Sequence, residues 1–437
     1  MLIQGETAAD IADSVRGLVQ RGELAVGASL PPMRVLAAQL GVNRNTVAAA
    51  YALLAAAGIV DARGRAGTTI LGLPQVGGEG EGAPDRGEAE SAPLTVNLAS
   101  GNPDPALLPD WSRSFAGYTH ILYGEQPLHP RLHDWAERTL PPGPTPGQVT
   151  VTSGAVDALE RLLAAHLMRG DAVALEDPGF FLSVGTLRVG GYRAVSLEVD
   201  PQGVTVDSLR DALAAGVRAV VCTMRAQNPT GASLSAERAE HLRALLAEHP
   251  DVLVVEDDHF SAIAVTPYRT VIPAGTARWA IVRSMSKFLG PDLRLAVLRA
   301  DAGTTARLAT RLGRPSWVSH LLQHIGAELL TSPAAQERLA EAAAVYPSRR
   351  ALLVDALAAQ GIAVFPAADG FNVWIPLPHD EHRVVTGLAQ AGWAVRAGSA
   401  YGGAPSRPPA IRVTTATLTA GQAAGLATAL HPLLKGK

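Results

Sequence analysis

The residue whose type could do chemistry most directly in this 437-residue chain is Lys287. The chain has 37 lysines and arginines, but only three are lysines, and the other two, Lys435 and Lys437, lie at its C-terminus. Arginine stays protonated, whereas a lysine amine can lose its proton and form a Schiff base with a carbonyl compound. We therefore predict that Lys287 performs amine chemistry, with a chance surface lysine or a lone ion pair as the alternative.

Two clusters of small polar residues could bind a phosphate group. Near Lys287, two hydroxyls and one guanidinium make a phosphate clamp. Further upstream, a short apolar strand ends in Thr-Ser-Gly-Ala and a helix begins, so backbone N–H groups could meet a phosphate at the helix N-terminus, although a plain turn fits the second cluster equally well. The first cluster is Ser284, Ser286 and Arg294, and the second is Ser153, Gly154 and Ala155.

Three further residues could hold a planar, electron-withdrawing ring. Asp257 ends the apolar run VLVVE and could pair with a protonated pyridine nitrogen. Asn228, in Asn-Pro-Thr-Gly, could direct its amide to a phenolic oxygen, and Phe180 could lie flat on the ring. The alternatives are a helix cap for Asp257, a turn for Asn228 and core packing for Phe180.

The elements that must position these residues form an alternating pattern. Apolar runs at 172–176, 219–224, 252–257 and 279–284 alternate with helical stretches such as 156–169 and 236–249. Alternating strands and helices indicate an α/β fold with a mainly parallel sheet covered on both faces. Ligands bind such sheets beyond the carboxyl ends of the strands, where the motifs above fall.

The first 72 residues have a different organisation, with helices predicted at 7–20, 33–40 and 44–57 and a β-hairpin at 59–71. Helix, short glycine-containing turn and helix are the signature of a helix-turn-helix, whose third helix would enter the DNA major groove. Residues 33–72 contain four arginines and one aspartate. A small protein-interaction domain is the alternative. The predicted DNA-contacting residues are Arg34, Asn43, Arg44, Asn45 and Thr46, with Arg63 and Arg65 at the hairpin tip.

The two parts are joined by residues 73–95, which hold five acidic residues, one arginine and almost no large apolar side chain. Such a segment cannot bury a core, so we predict a flexible acidic linker between domains at 1–72 and 96–437.

The composition narrows the protein class. The net charge of −3 gives no global field for nucleic acid, so DNA contact must come from a local patch. The single cysteine excludes a disulfide framework and a cysteine-rich metal site, and we expect no metal. No signal peptide or apolar run of about 18 residues is evident, so a cytoplasmic protein with no membrane partner is expected.

Two stretches of the sequence resemble known families. PPMRVLAAQLGVNRNTVAAAYALLAAAGIVDARGRAGTTIL resembles the GntR-type winged helix-turn-helix. The ordered set in the larger part resembles the fold-type-I aminotransferases, which carry pyridoxal 5′-phosphate (PLP). The resemblance implies that Lys287 binds the cofactor covalently, Asp257 the pyridine nitrogen and Asn228 the ring oxygen, while Phe180 stacks and the two polar clusters hold the phosphate.

Three other residues follow from the same resemblance. Tyr123 is similar to a tyrosine that reaches the partner subunit's phosphate, which implies a homodimer. Arg412 is similar to the arginine that grips a substrate α-carboxylate. His259 stands where relatives commonly carry a tyrosine that contacts the ring oxygen, so efficient transamination is in doubt.

The two domains together resemble the MocR family of bacterial regulators, and within it most closely the PtsJ-type subgroup. This resemblance implies a dimeric transcription factor that binds an operator and senses PLP, an amine or an amino acid, with vitamin B6 metabolism as its regulon. An active aminotransferase with a vestigial DNA-binding module is the alternative, and a PLP reservoir or partner-interaction protein is a third.

Overall fold

The computed structural model of the protein describes residues 3–62, 67–73, 96–312, 317–402 and 408–435. The predicted linker therefore lies, apart from residue 73, outside the described residues, as do Arg63 and Arg65 at the predicted hairpin tip.

Residues 3–73 form three helices and a small antiparallel sheet with strand order β1-β3-β2. Two of the three helices begin at a side chain that caps them: Thr7 and Asp10 make a capping box, and the Asn43 side chain accepts the Asn45 N–H at 2.8 Å. The sequence did not indicate β1, which adds a third strand to the predicted hairpin. The elements are α1 (Ala8–Gln20), β1 (Ser29–Leu30), α2 (Met33–Leu40), α3 (Arg44–Ala56), β2 (Val60–Ala62) and β3 (Thr68–Ile70).

A shared apolar core holds these elements together. It contains residues from all three helices and from the sheet, among them Ile11, Leu36, Val47 and Ile70, each fully shielded from solvent. The core leaves the N-terminal end of α3 at the surface, so the polar residues there can contact another molecule.

The larger part is built on an eight-stranded sheet of order β5-β12-β11-β10-β9-β6-β7-β8. Its strands pair in parallel except β12 and the edge strand β8, so the mainly parallel prediction is confirmed. The reversal of β12 was not anticipated. The strands of this region are β4 (Val96–Asn97), β5 (Gly147–Thr152), β6 (Ala172–Asp177), β7 (Arg193–Asp200), β8 (Gly203–Val204), β9 (Ala219–Thr223), β10 (Leu253–Asp257), β11 (Trp279–Ser284) and β12 (Ala296–Asp301).

Helices cover both faces of this sheet. Along β10, Val254 belongs to one buried cluster and Val255 to another, because successive side chains point to opposite faces. The helices of this region are α4 (Pro130–Thr139), α5 (Ala155–His166), α6 (Phe181–Gly190), α7 (Val206–Ala214), α8 (Ala236–Ala247), α9 (Ala302–Leu312), α10 (His320–Thr331) and α11 (Pro333–Ala359).

The C-terminal residues form a second α/β layer with its own core. Its antiparallel sheet has the order β13-β16-β15, while β14 pairs in parallel with β4 from the start of the region. The long helix α11 joins the two cores, since Tyr346 packs in the first and Leu357 in the second. The elements are β13 (Asn372–Pro376), α12 (Glu381–Gln390), β14 (Trp393–Ala394), β15 (Arg396–Ala397), β16 (Ala410–Thr414) and α13 (Ala420–Leu434).

Candidate ligand-binding site

A cavity of about 250 Å³ lies at the carboxyl ends of β9, β10 and β11. Parallel pairing brings these ends to one edge of the sheet, so residues distant in sequence meet there. The structure brings together nine of the predicted ligand residues in its lining: Ala155, Phe180, Asn228, Asp257, His259, Ser284, Ser286, Lys287 and Arg294.

Lys287 follows β11 and extends its amine along the cavity. Its Nζ donates a hydrogen bond to the Gly101 carbonyl at 2.8 Å and lies 5.9 Å from the centre of the Phe371 ring. The side chain is half-buried, so the amine is held in place and yet lines the open space.

Three acidic residues in a row, Glu256, Asp257 and Asp258, end β10, and the structure separates their roles. Glu256 is fully buried and accepts hydrogen bonds from Tyr268 and from the Thr270 hydroxyl, on the face of the sheet away from the cavity. Its neighbour Asp257 points to the opposite face because side chains alternate along a strand.

Asp258 is also fully buried but is paired with two arginines. Its carboxylate lies 2.8 Å from Arg225 Nε and 2.9 Å from Arg283 Nη2. Burial opposes ionisation, but these guanidinium groups outweigh it and hold the pKa of Asp258 below its usual range. This carboxylate is therefore already paired with two arginines of the protein.

Asp257 alone of the three lines the cavity, and its Oδ1 atom is shielded from solvent without accepting a hydrogen bond from the described residues. Burial, followed by the charges of Asp258 and Glu176, raises the pKa of Asp257 to about 7 against the opposing charge of Lys287. A shielded acceptor of this kind is costly unless a ligand supplies a donor. His259 Nδ1 lies 3.9 Å from its other oxygen.

Asn228 and Arg412 meet at the wall between the two α/β layers. The Asn228 Oδ1 atom accepts hydrogen bonds from Arg412 Nη1 at 3.2 Å and from Asn372 Nδ2 at 3.3 Å. Arg412 is fully shielded from solvent; its Nη2 donates to the Ala99 carbonyl at 2.6 Å, and its guanidinium lies 5.1 Å from the Tyr401 ring. Arg412 thus lies directly behind Asn228 and is not among the cavity-lining residues.

One end of the cavity has the donors that suit a phosphate. Ala155 opens α5, whose N-terminus faces this end, and Ser284 Oγ lies 3.3 Å from Ser286 Oγ. Arg294 Nη2 donates to the Ser153 carbonyl at 3.1 Å, and the Ser153 N–H donates to Asp157. Ser153 is exposed and is not among the cavity-lining residues.

Gly154 fits closely between these groups. Its φ is +100°, a conformation that side-chain-bearing residues rarely adopt, and a Cβ atom there would lie 2.6 Å from Arg294 Nη2. Only glycine lets the guanidinium approach the start of α5.

Two aromatic residues were predicted for the site, and the structure places them apart. Phe180 lines the cavity, and its ring meets the Phe181 ring edge-on at 5.1 Å. Tyr123 is 88% exposed and lies against the Trp317 ring at 5.2 Å, away from the lining set. Its predicted contact is with a partner subunit, so this prediction stays a prediction.

The sequence reasoning did not name five residues that line the cavity: Asn102, Val156, Leu182, Thr223 and Pro291. Thr223 ends β9 and could have been found by the strand-end rule that pointed to Asp257. Its hydroxyl and N–H both donate to the buried Glu176 carboxylate, at 2.8 and 2.7 Å. Burial raises the pKa of Glu176 to about 7. Asn102 follows no strand, so no local pattern indicated it.

A second surface with predicted binding residues lies at the start of α3. Arg44 and Asn45 are exposed there, together with the capping residue Asn43, and Thr46 is half-buried. Arg34, near the start of α2, is also exposed. These side chains are available to contact a nucleic acid, in the order that a helix-turn-helix requires.

Comparisons with known proteins cover both parts of the chain. Residues 95–430 match the family described as aminotransferase class I and II, and residues 7–70 match bacterial regulatory proteins, gntR family. The chain is 46% identical, over 99% of its length and 100% of the relative's, to the vitamin B6 salvage pathway transcriptional repressor PtsJ of Salmonella typhimurium. It is 29% identical, over 90% of its length and 88% of the relative's, to the pyridoxine biosynthesis transcriptional regulator PdxR of Corynebacterium glutamicum.

Solved structures confirm the fold of the larger part. Kynurenine aminotransferase of Pyrococcus horikoshii superposes with a TM-score of 0.71, over 78% of this chain and 91% of that one, at 20% identity. An aspartate aminotransferase variant of Thermus thermophilus gives 0.68, over 80% and 99%, at 23% identity. No helix in the described part of the chain has the length and apolarity needed to cross a membrane.

Proposed function

The chain belongs to the MocR-type transcriptional regulators, in which a gntR-family DNA-binding domain is joined to an aminotransferase class I and II domain, and on this premise we propose that it regulates vitamin B6 metabolism by binding PLP. The gntR-type domain implies DNA binding, and the aminotransferase fold implies PLP as the cofactor.

The observation that carries the cofactor proposal is the shielded Oδ1 atom of Asp257 in the same cavity as the Lys287 amine. When bound, PLP supplies an aldehyde that condenses with amines and a pyridine ring that withdraws electrons once protonated. The carboxylate of Asp257 would hold the protonated ring nitrogen, whose N–H would satisfy the shielded oxygen. Lys287 would supply the amine that binds the aldehyde.

The remaining lining residues orient the ring and the phosphate. Asn228 and His259 would bind the ring oxygen, and Phe180 would stack on one face of the ring. Ser284, Ser286 and Arg294 hold the phosphate together with the N-terminal turn of α5, which Ser153, Gly154 and Ala155 form.

The winged helix binds operator DNA through the exposed start of α3. Arg44 and Asn45 contact base edges and phosphates, with Asn43, Thr46 and Arg34 beside them. Arg63 and Arg65, which lie outside the described residues, supply charge to the adjacent groove. Operators of such proteins are read by paired domains, so we propose a homodimer in which Tyr123 reaches the phosphate site of the other subunit.

The names of two relatives support vitamin B6 metabolism as the regulated pathway. The Salmonella relative is by its name a repressor of vitamin B6 salvage, and the Corynebacterium relative a regulator of pyridoxine biosynthesis. PLP itself, or an amine or amino acid that reacts with it, is the effector. Binding shifts the population between two conformations that differ in affinity for DNA.

An active aminotransferase is the second candidate function. The meeting of Asn228 with Arg412, directly behind the cavity, favours it, because a substrate carboxylate could bind this arginine. Turnover of an amino acid with a keto acid, set against retardation of promoter DNA, separates the two functions.

The test of the cofactor proposal is the visible absorption spectrum of the purified protein with PLP, for the wild type and for the Lys287→Ala and Lys287→Arg variants. The wild type should give a yellow band that borohydride fixes. Both variants should lack it, including the arginine variant, which keeps the positive charge. A wild type without the band, or a band that persists in both variants, would overturn the proposal.

A further inference from the structure

Residues 98–102, which we call the strap, connect the two cations of the site. The Ala99 carbonyl accepts from Arg412 Nη2 at 2.6 Å, and the Gly101 carbonyl accepts from Lys287 Nζ at 2.8 Å. Asn102, at the end of the strap, lines the cavity. Two backbone carbonyls only two residues apart thus bind the amine and the guanidinium that a PLP-linked amino acid would need.

The strap is held at both ends and at Gly101. Upstream, the Leu98 N–H donates to the Ala394 carbonyl, which continues the pairing of β4 with β14. Downstream, the Asp104 carboxylate pairs with Arg349 at 2.7 Å. Between them, the Gly101 N–H donates to the Thr414 hydroxyl at 3.2 Å, and Gly101 adopts a φ of +68°. The middle of the strap is buried. Moving it requires breaking the contact of Ala99 with Arg412 and the contacts of Gly101 with Lys287 and Thr414.

We propose that the strap is an internal competitor of the ligand, whose carbonyls hold Lys287 and Arg412 until a ligand displaces them. This inference rests on the proposed binding of PLP. It adds a gate to that site. The Lys287 amine binds either the Gly101 carbonyl or PLP, and Arg412 Nη2 binds either the Ala99 carbonyl or a ligand carboxylate.

The covalent step requires this displacement. The Lys287 amine condenses with the PLP aldehyde, forming one carbon–nitrogen double bond and releasing one water molecule. The aldehyde C=O bond breaks, and its oxygen leaves as that water with the two hydrogens of the neutral amine. The nitrogen lone pair must therefore face the aldehyde carbon. The hydrogen bond to the Gly101 carbonyl cannot persist unchanged through this step.

Arg412 makes the gate selective for ligands that bear a carboxylate. A carboxylate forms a stronger hydrogen bond with a guanidinium than a neutral carbonyl does, so it can displace Ala99. PLP alone frees the Gly101 end of the strap, whereas a ligand with an α-carboxylate also frees the Ala99 end. The ligand's chemistry thus sets how much of the strap is released.

Thr414 offers a variant that loosens the strap without replacing either cation. Its hydroxyl also donates to Asn372 Oδ1 at 3.1 Å, so the control must keep a hydroxyl here. Thr414→Val removes the acceptor of the Gly101 N–H, whereas the matched Thr414→Ser keeps a hydroxyl at this position. We expect Thr414→Val to raise the rate of band formation with PLP by about three- to tenfold, the scale of losing one hydrogen bond, and Thr414→Ser to stay near the wild type.

Hydrogen exchange of the peptide spanning residues 97–104, followed by mass spectrometry, measures the strap directly. Addition of PLP should increase exchange in the wild type and leave Lys287→Ala unchanged, and Thr414→Val should exchange faster even before PLP is added. If the yellow band forms while exchange stays the same and Thr414→Val matches Thr414→Ser, the strap inference is wrong and the cofactor site stands. If no band forms, the proposed function fails and the strap inference fails with it.

Discussion

Replacing Asp257 with asparagine should stabilise the cofactor-free protein at alkaline pH. Asp257 has a pKa of about 7 in the folded protein against 3.8 for an ordinary aspartate, mainly because of burial. The folded state therefore binds the proton more tightly than the unfolded state, and stability falls as the pH rises from about 4 to about 7. The pKa difference of about three units, at about 1.36 kcal/mol per unit, limits the destabilisation caused by ionised Asp257 to ~4 kcal/mol above pH 7.

Coupling to Glu176 reduces this limit, so we expect a gain of about 2–4 kcal/mol for Asp257→Asn at pH 8 and little gain at pH 4. For a domain of this size, with an unfolding entropy of ~2.1 cal/mol/K per residue, the gain corresponds to roughly 3–6 °C in Tm. Calorimetry of the cofactor-free protein at both pH values measures it. The same variant should lose the thermal stabilisation that PLP gives the wild type.

The neighbouring Asp258→Asn variant is the matched control. It is the same chemical change one residue further along, but it removes the partner of Arg225 and Arg283 and should lower stability by about 3–5 kcal/mol. Opposite signs at adjacent positions would follow from the two environments. A Tm of Asp257→Asn at or below that of the wild type at pH 8, or an equal shift at both pH values, would refute the reasoning.

Two further predictions concern the phosphate end of the cavity and the DNA surface. Gly154→Ala places a Cβ atom 2.6 Å from Arg294 at a φ of +100°, so PLP titration should show an affinity about tenfold lower or worse, while far-ultraviolet circular dichroism stays unchanged. Arg44→Ala should weaken duplex DNA binding and, where the contact is to a phosphate, reduce the slope of log K against log salt by about 1, as measured by fluorescence anisotropy. Arg16→Ala, which replaces an exposed arginine on α1, should leave the DNA affinity and its salt slope unchanged.

The local signals in the sequence predicted most of the N-terminal domain correctly. The bounds of α2 agree with the prediction to the residue, because Pro32 precedes the helix and Gly41 ends it in a left-handed conformation. Asn43 caps α3 as predicted. Strand β1 was missed because its two residues carry no alternating pattern, and only pairing with β3 makes them a strand.

In the larger part, strand positions were predictable and their directions were not. The apolar runs correspond to β6, β9, β10 and β11, since buried parallel strands read as continuous apolar sequence. The direction of β12 depends on its pairing with β11, which directly precedes it, and with β5, which lies about 145 positions away in sequence. No local pattern contains that information.

The site shows the same division between strand-end residues and residues brought in by tertiary packing. Among three adjacent acidic residues the sequence favoured Asp257, and the structure separates them physically. Glu256 and Asp258 accept hydrogen bonds from the protein, whereas the shielded Asp257 Oδ1 atom accepts none from the described residues. The sequence could not show that Ala99 and Gly101 would bind Arg412 and Lys287, because these contacts join residues more than 180 positions apart.

The energetics of Asp257 and of the strap favour a ligand-binding role for the cavity. A raised carboxylate pKa and a shielded oxygen both lower the stability of the cofactor-free fold, and a ligand that carries a proton donor relieves both. The strap acts in the opposite sense, since its carbonyls stabilise the two cations before a ligand arrives. The binding free energy reflects the difference between these two contributions. Asp257→Asn should therefore abolish ligand binding, and Thr414→Val should strengthen it. Such competition raises the apparent Kd, and a regulator reports a change in ligand concentration only where its apparent Kd lies near that concentration.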